Sequence, residues 1–155
     1  TKFQYMQKAL QIGLEHNFPE VVIRSYNNLA VDSESPADAL RYSTDSVAYF
    51  HRIGYPQDEQ WSKFNMASAY MNLGELERAK EIAKEALSMS NPQPITRRQA
   101  VSILGEALLY QGNFDESEKY LQQWLAILEG RQDFQDVLGC QLDLGMLYAE
   151  KGELQ

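Results

Sequence analysis

The chain has few of the residues on which disulfide scaffolds and metal sites depend. Its 155 residues include one cysteine, so no internal disulfide can form, and this excludes a small disulfide-stabilised secreted scaffold. The only two histidines, His16 and His51, have no second ligand at metal-binding spacing. Each falls near the predicted C-terminus of a helix, where a cation complements the helix dipole. We interpret both as structural residues and Cys140 as a small buried hydrophobic residue.

Long apolar runs and an excess of basic residues are also missing. No apolar run is long enough to span a bilayer, and the N-terminus lacks the basic and apolar segments of a signal peptide. Acidic residues outnumber basic ones by 22 to 14, which gives a formal net charge of −8. Because phosphate contacts need a basic face, direct binding to nucleic acid or to an anionic membrane is not expected. The 44% hydrophobic content instead predicts a globular, cytoplasmic chain.

Apolar residues recur every three or four positions, which is the period of an amphipathic helix. No segment alternates with a period of two between hairpin turns, so strands are not expected. The sequence predicts an all-α fold with eight helices, at about residues 1–16, 19–32, 36–53, 57–73, 76–90, 95–111, 114–129 and 133–151.

A short glycine motif recurs along the chain. Gly74-Glu75-Leu76-Glu77-Arg78-Ala79 returns 38 residues later at Gly112, and Gly152 begins it again after another 40. Eight residues before each glycine stands a large apolar residue followed by a small one, and an earlier pair lies 37 residues upstream of the first. These pairs are Leu29-Ala30, Met66-Ala67, Leu104-Gly105 and Leu144-Gly145. Periodicity on this scale indicates stacked repeats.

This pattern resembles the tetratricopeptide repeat (TPR) family, in which helix A carries a large–small pair and helix B carries spaced alanines such as Ala79 and Ala86. The resemblance implies an α–α superhelix of antiparallel helix pairs whose A helices line a concave groove. It divides residues 1–155, one domain, into a half repeat at 1–17, repeats at about 19–55, 57–92 and 95–130, and a half repeat at 133–155. The long period is similar to that of kinesin light chains and of large bacterial regulators. The half repeats lead us to expect a fragment of a longer protein.

One departure from the pattern concerns packing between helices. Trp124 occupies the place that Ala86 takes one repeat earlier, and a tryptophan would overpack a close helix contact unless its neighbour recedes. Gly139 and Gly145 on the following helix are candidates for making that room.

The position just before each large–small pair is a candidate binding position. In the TPR family this position is often an asparagine that bonds the backbone of an extended peptide, and here it is Asn28, Asn65, Ile103 and Asp143 in turn. An asparagine side chain offers a donor and an acceptor together. The alternative is that Asn28 and Asn65 are merely solvated polar residues.

Around these positions the helical phase predicts a groove with an apolar and an acidic part. Trp61, Phe64 and Met71 share one stripe, which is either an exposed apolar pocket for a partner or ordinary core. In the later repeats Glu106 and Asp143 make the groove acidic, which favours a partner with basic residues. The same groove is expected to be faced by Ser68, Asn72, Gln99, Ser102, Tyr110, Leu142, Met146 and Glu150.

The leading functional hypothesis is a non-catalytic module of a larger cytoplasmic protein that binds a protein or peptide in the helix A groove. No carboxylate pair, phosphate loop or nucleophile motif supports an enzyme, and no cofactor or metal is expected. A clamp for acidic C-terminal peptides, known in TPR co-chaperones, lacks its basic residues here. Two alternatives remain: an effector-sensing domain of a bacterial signalling or transcription regulator, and a self-assembly domain that forms homo-oligomers.

Overall fold

The computed structural model describes residues 1–89, 94–129 and 134–152. These residues form eight helices and no strand, and each helix boundary lies within two residues of the prediction. The helices are α1 (Lys2–Glu15), α2 (Pro19–Val31), α3 (Pro36–Ile53), α4 (Pro56–Asn72), α5 (Leu76–Ser88), α6 (Pro94–Tyr110), α7 (Phe114–Leu128) and α8 (Phe134–Lys151). The predicted ends of the repeats at 92 and 130, the first residue of the last half repeat at 133 and its final residues 153–155 lie outside the described residues.

The helix boundaries follow from local backbone chemistry. Helices α2, α3 and α4 each have proline in the first turn, where the missing N–H has no helical partner to lose. Ser35 is the N-cap of α3, although its side chain makes no capping hydrogen bond. Gly74 and Gly112 follow α4 and α6 with φ of 74° and 73°, a left-handed conformation that glycine adopts without steric cost.

Even-numbered and odd-numbered helices occupy different layers of the structure. Each even helix packs against the next even helix along the chain, as α2 does on α4 and α4 on α6. Each odd helix packs only against the even helices beside it, within the described residues. This arrangement is a TPR-like α-solenoid whose even helices are the A helices. They line its inner side.

Small residues set the closest helix contacts. On α3 and α4, the hydroxyls of Ser46 and Ser62 lie 2.6 Å apart and share a buried hydrogen bond. This contact is extensive, and α3 packs more fully against α4 than against α2. On α6 and α7, the Ser117 hydroxyl donates to the carbonyl oxygen of Gly105 at 2.7 Å. Short side chains at these points allow the backbones to approach.

Trp124 is buried, with 6% of its surface exposed, and it lies in a cluster with Cys140 and Leu144 of α8. Of the two glycines expected to make room for it, Gly139 faces the indole ring: a Cβ there would lie 3.7 Å from Cη2 of Trp124. The expectation for Gly145 is wrong, because a Cβ there would have no neighbour within 4 Å. Gly145 lies on the opposite, uncovered side of α8.

Candidate functional site

A continuous groove runs along the inner side of the even helices. Its larger part, about 540 Å³, lies between α4 and the α2–α3 turn, and its smaller part, about 320 Å³, lies between α4, α6 and α8. Phe64, Ser68, Asn72 and Gln99 line both parts, so the two form one surface. We call this surface the inner groove.

The apolar wall of the inner groove comes from one face of α4. The rings of Trp61 and Phe64 lie 5.4 Å apart and are tilted by 47° to each other. Both side chains are half-buried and line the larger part, while half-buried Met71 lines the smaller part beside Phe64. These three residues therefore share an accessible apolar stripe, because helix positions three and seven apart lie on one face.

Asn65 places an amide with no hydrogen-bond partner beside this wall. Its side chain is buried, with 8% of its surface exposed, and it lines the larger part of the groove. It makes no hydrogen bond with any other described residue, although an amide can make four. Across the groove, the buried Oε1 of Gln99 on α6 likewise lacks a donor among the residues described. Buried polar groups without partners are uncommon in folded proteins.

The smaller part of the groove is lined by the carboxyl group of Glu106, and the carboxyl group of Asp143 lies near enough to act on it. Burial raises the pKa of Glu106 on α6 to about 7, and the charge of Asp143 on α8 adds to this effect. Burial also raises the pKa of Asp143. Burial and these two carboxylates raise the pKa of the Tyr110 phenol, and burial raises the pKa of the Cys140 thiol to about 11. Glu106 and Asp143 thus face one another in a poorly solvated region.

The structure brings most of the sequence-predicted residues together. Five of them line the inner groove, and Asp143 lies close enough to Glu106 to act on its pKa; the five are Trp61, Phe64, Asn65, Met71 and Glu106. Asn28 is the exception. It lies in a separate groove between α1 and α2, on the side of α2 away from α4, where none of the described even helices packs.

An ion pair that the sequence did not predict borders the inner groove. Nη1 of Arg98 on α6 lies 3.0 Å from Oδ2 of Asp136 on α8, and both residues line the smaller part of the groove. The two residues are 38 positions apart and belong to no motif, so no sequence signal could have found the pair. The contribution of the α2–α3 turn was not predicted either: Ser33 and Glu34 from the turn and Pro36 at the start of α3 line the larger part.

The described residues contain no group of three or more His, Cys, Asp or Glu side chains that could hold a metal ion. His51 instead lies 3.2 Å from Glu59 at the start of α4, and Cys140 donates from its thiol to the carbonyl oxygen of Leu121. Among those same residues, no helix has the length and apolarity needed to cross a membrane.

A model of the tetratricopeptide repeat family matches residues 62–92. The matched segment begins at Ser62, runs through the groove-lining half of α4, and includes α5. Residues 62–92 therefore form a tetratricopeptide repeat, a unit that generally serves protein–protein interaction and is typically non-catalytic. No curated protein shows a significant match to the chain.

Proposed function

We propose, with the tetratricopeptide repeat at residues 62–92 as the premise, that the chain is a non-catalytic module that binds an extended peptide segment in its inner groove. The observation that carries the proposal is Asn65: an amide nine-tenths buried, without a hydrogen-bond partner among the described residues, in the wall of an accessible groove. Because no described protein group bonds this amide, a peptide backbone in the groove can take up both its donor and its acceptor.

The groove supplies two further kinds of contact for such a peptide. The Trp61 and Phe64 rings offer a rigid apolar surface for a side chain, and aromatic residues of this kind contribute most strongly to binding. Gln99 offers a carbonyl oxygen across the groove that lacks a donor from the described residues. The peptide would therefore be held through its backbone by amides and through one side chain by the aromatic wall.

The acidic end of the groove favours a peptide that carries lysine or arginine. A cation placed between Glu106 and Asp143 would relieve their mutual repulsion and lower both pKa values. The same two groups disfavour acidic peptides and nucleic acid, because like charges raise the cost of association. We place this interaction in a larger cytoplasmic protein, where the single buried thiol of Cys140 can remain reduced.

Selection from a random twelve-residue peptide library on the immobilised chain tests the proposal. Selected peptides are resynthesised, and their affinity is measured by isothermal titration calorimetry and by fluorescence of Trp61 in a Trp124→Phe background. We expect Asn65→Ala and Trp61→Ala each to weaken binding about fivefold or more, which corresponds to about 1 kcal/mol. Glu106→Gln should weaken binding only for peptides that contain lysine or arginine.

Asn28→Ala is the matched control, because Asn28 occupies the same repeat position but lies outside the inner groove. It should leave the affinity unchanged. Selected peptides that bind Asn65→Ala and Trp61→Ala as tightly as the parent would contradict the proposal. Failure to enrich any peptide above a groove-blocked Ser68→Trp variant would contradict it as well.

A further inference from the structure

Both parts of the inner groove contain carboxylates, and only one of the described lining residues is basic. Glu34 lines the larger part, while Glu106 lines the smaller part and has Asp143 near it. The basic residue is Arg98, whose Nη1 lies 3.0 Å from Oδ2 of Asp136. The groove therefore presents negative charge at two separate places, one at the α2–α3 turn and one on α6.

Ion pairing distinguishes Glu34 from its acidic neighbours in the sequence. Oδ2 of Asp32 lies 2.6 Å from Nζ of Lys2, and Oδ1 of Asp38 lies 3.0 Å from Nη2 of Arg41. Glu34 lies between these two acids in the chain, is exposed, and makes no ion pair with any residue that the structure describes. The charge of Glu34 is thus open to a ligand that occupies the larger part of the groove.

The same contrast holds in the smaller part. Asp136 is paired with Arg98, whereas Glu106 and Asp143 make no ion pair in the described ranges of the chain. Burial raises the pKa of Glu106, and the charge of Asp143 adds to this effect, as two carboxyl groups do when they approach each other without a cation. A cationic group of a ligand would therefore be favoured at this second place as well.

Between the two charged places, α4 contributes neutral groups that also call for a ligand. The rings of Trp61 and Phe64 line the larger part, which they share with Glu34. The amide of Asn65 lines the same space, is 8% exposed, and has no hydrogen-bond partner within the described part of the chain. Because buried polar groups normally have partners, this amide indicates a ligand independently of the carboxylates.

Helix spacing sets the distance between the two charged places. Glu34 follows α2 and Glu106 lies on α6, and α4 packs between these two even helices. Packed helices lie about 8–10 Å apart, so the two carboxylates should be separated by about 16–20 Å. An extended peptide rises about 3.3 Å per residue and points alternate side chains to the same side, so six residues span about 20 Å with both end side chains on one side.

From these observations, and on the premise that the inner groove binds a peptide as proposed above, we propose that its ligand is a basic–apolar–basic segment. One lysine or arginine pairs with Glu34, and a second, six residues away, pairs with Glu106 and Asp143. An apolar residue contacts the aromatic wall and lies two residues from the first basic residue, because the wall shares the larger part of the groove with Glu34. A small polycation would leave the aromatic rings uncovered.

Designed seven-residue peptides test this inference. Two of them have lysine at both ends, leucine at either the third or the fifth position and serine elsewhere, with acetylated and amidated termini that carry no charge. The one that binds more tightly gives the direction of the chain, and two derivatives of it each carry glutamine in place of one lysine. Affinities are measured by fluorescence of Trp61 in a Trp124→Phe background, at low salt and at pH 8, where Glu106 is ionised.

The variants should divide the two lysines between them. Glu34→Gln should weaken about threefold only those peptides that keep the lysine two residues from leucine, which is the size expected for an accessible ion pair. Glu106→Gln and Asp143→Asn should each weaken only peptides that keep the other lysine. Glu81→Gln, which removes the same charge from an exposed position on α5 outside the groove, is the matched control and should change no affinity.

Three results would overturn the inference. Dependence of one lysine on both Glu34 and Glu106, or of neither lysine on either, would show that the two places do not bind separate cations. Equal affinity for a peptide with serine in place of leucine would show that charge alone is recognised, as with a polyamine. The third is no binding of either designed peptide to the parent. The library selection makes no assumption about charge, so it decides the proposed function separately.

Discussion

The α4–α5 and α6–α7 helix pairs make equivalent close contacts with side chains of different sizes. In the first pair, Ala67 on α4 packs in one cluster with Ala79 and Ala83 on α5, and all three are fully buried. In the second pair, Gly105 on the even helix faces Leu121 on the odd helix. The larger residue on one helix is matched by a smaller one on its partner. Gly105 with Leu121 carries four side-chain carbons against two for the equivalent Ala67 with Ala83, so the glycine offsets only part of the extra volume of the leucine.

The two pairs also differ on their groove-facing sides. Asn65 and Ser68 on α4 are replaced on α6 by Ile103 and Glu106, at the same positions 38 residues later. The α4 side therefore offers neutral hydrogen-bonding groups, and the α6 side offers a buried hydrocarbon and a poorly solvated carboxyl group. The two pairs thus differ both in their packing and in the groups that face the groove, so each difference can be tested by changing one pair and keeping the other as its reference.

Removal of Trp124 should have the largest effect on the second pair. Trp124→Ala leaves a cavity against Gly139 and Cys140 and should lower the free energy of unfolding by about 3–5 kcal/mol. The reference is Trp61→Ala in the first pair, a half-buried groove residue whose removal should cost less than half as much. Urea unfolding followed by circular dichroism measures both. Equal losses would contradict the assignment of one tryptophan to the core and the other to the groove.

The carboxyl group of Glu106 should make the second pair sensitive to pH. Its pKa is about 7 in the folded chain and about 4.3 when unfolded, so the folded chain holds the extra proton between these values. Stability should fall as pH rises from about 4.5 to 7 and then stay level. With allowance for solvent screening we expect a loss of about 1–2 kcal/mol over this window.

Glu106→Gln isolates this contribution, because it removes the Glu106 carboxyl group and keeps a side chain of the same size. The difference in melting temperature between variant and parent should grow as pH rises from 5 to 7. Asp143→Asn should reduce the pH dependence of the parent, since the Asp143 charge contributes to the raised pKa of Glu106. A difference that is constant across this range would show that Glu106 is well solvated.

Two equivalent glycines should give the smallest changes, with opposite signs. Gly105→Ala places a Cβ 2.7 Å from a fully buried leucine, and after the gain in helix propensity we expect a net loss of about 1 kcal/mol. Gly145→Ala meets no neighbour and should stabilise the chain by about 0.5–1 kcal/mol. Thermal unfolding measures both. A shift of the same sign in both variants would refute the difference in helix contact.

The sequence predicted the helices well because their boundaries depend on local chemistry. Pro36 can begin a helix and Gly74 can end one whatever else surrounds them. The groove residues of α4 were also predicted, since helical phase fixes which side chains share a face. Phase does not give exposure, however, and so the sequence could not separate Asn28 from Asn65. Whether such an asparagine lines the inner groove depends on whether another even helix packs beside its own helix.

Contacts between distant repeats were beyond prediction for a similar reason. The Arg98–Asp136 pair and the effect of Asp143 on Glu106 depend on the angle between α6 and α8, which no local pattern encodes. The error on Gly145 has the same origin: the large–small pair predicts that a close contact exists but not which neighbour makes it. Residue spacing was therefore enough to predict the helices, whereas the contacts between distant helices depend on how the helices pack.

The lack of contact between odd helices has a mechanical consequence. Even helices touch along the inner side, while no odd helix touches another in the part of the chain described. Successive odd helices are therefore coupled only through the even helix between them, and no direct contact on the outer side resists bending. We therefore expect the stack to bend more easily by a change in the spacing of its outer helices than by separation of the even helices along its inner side.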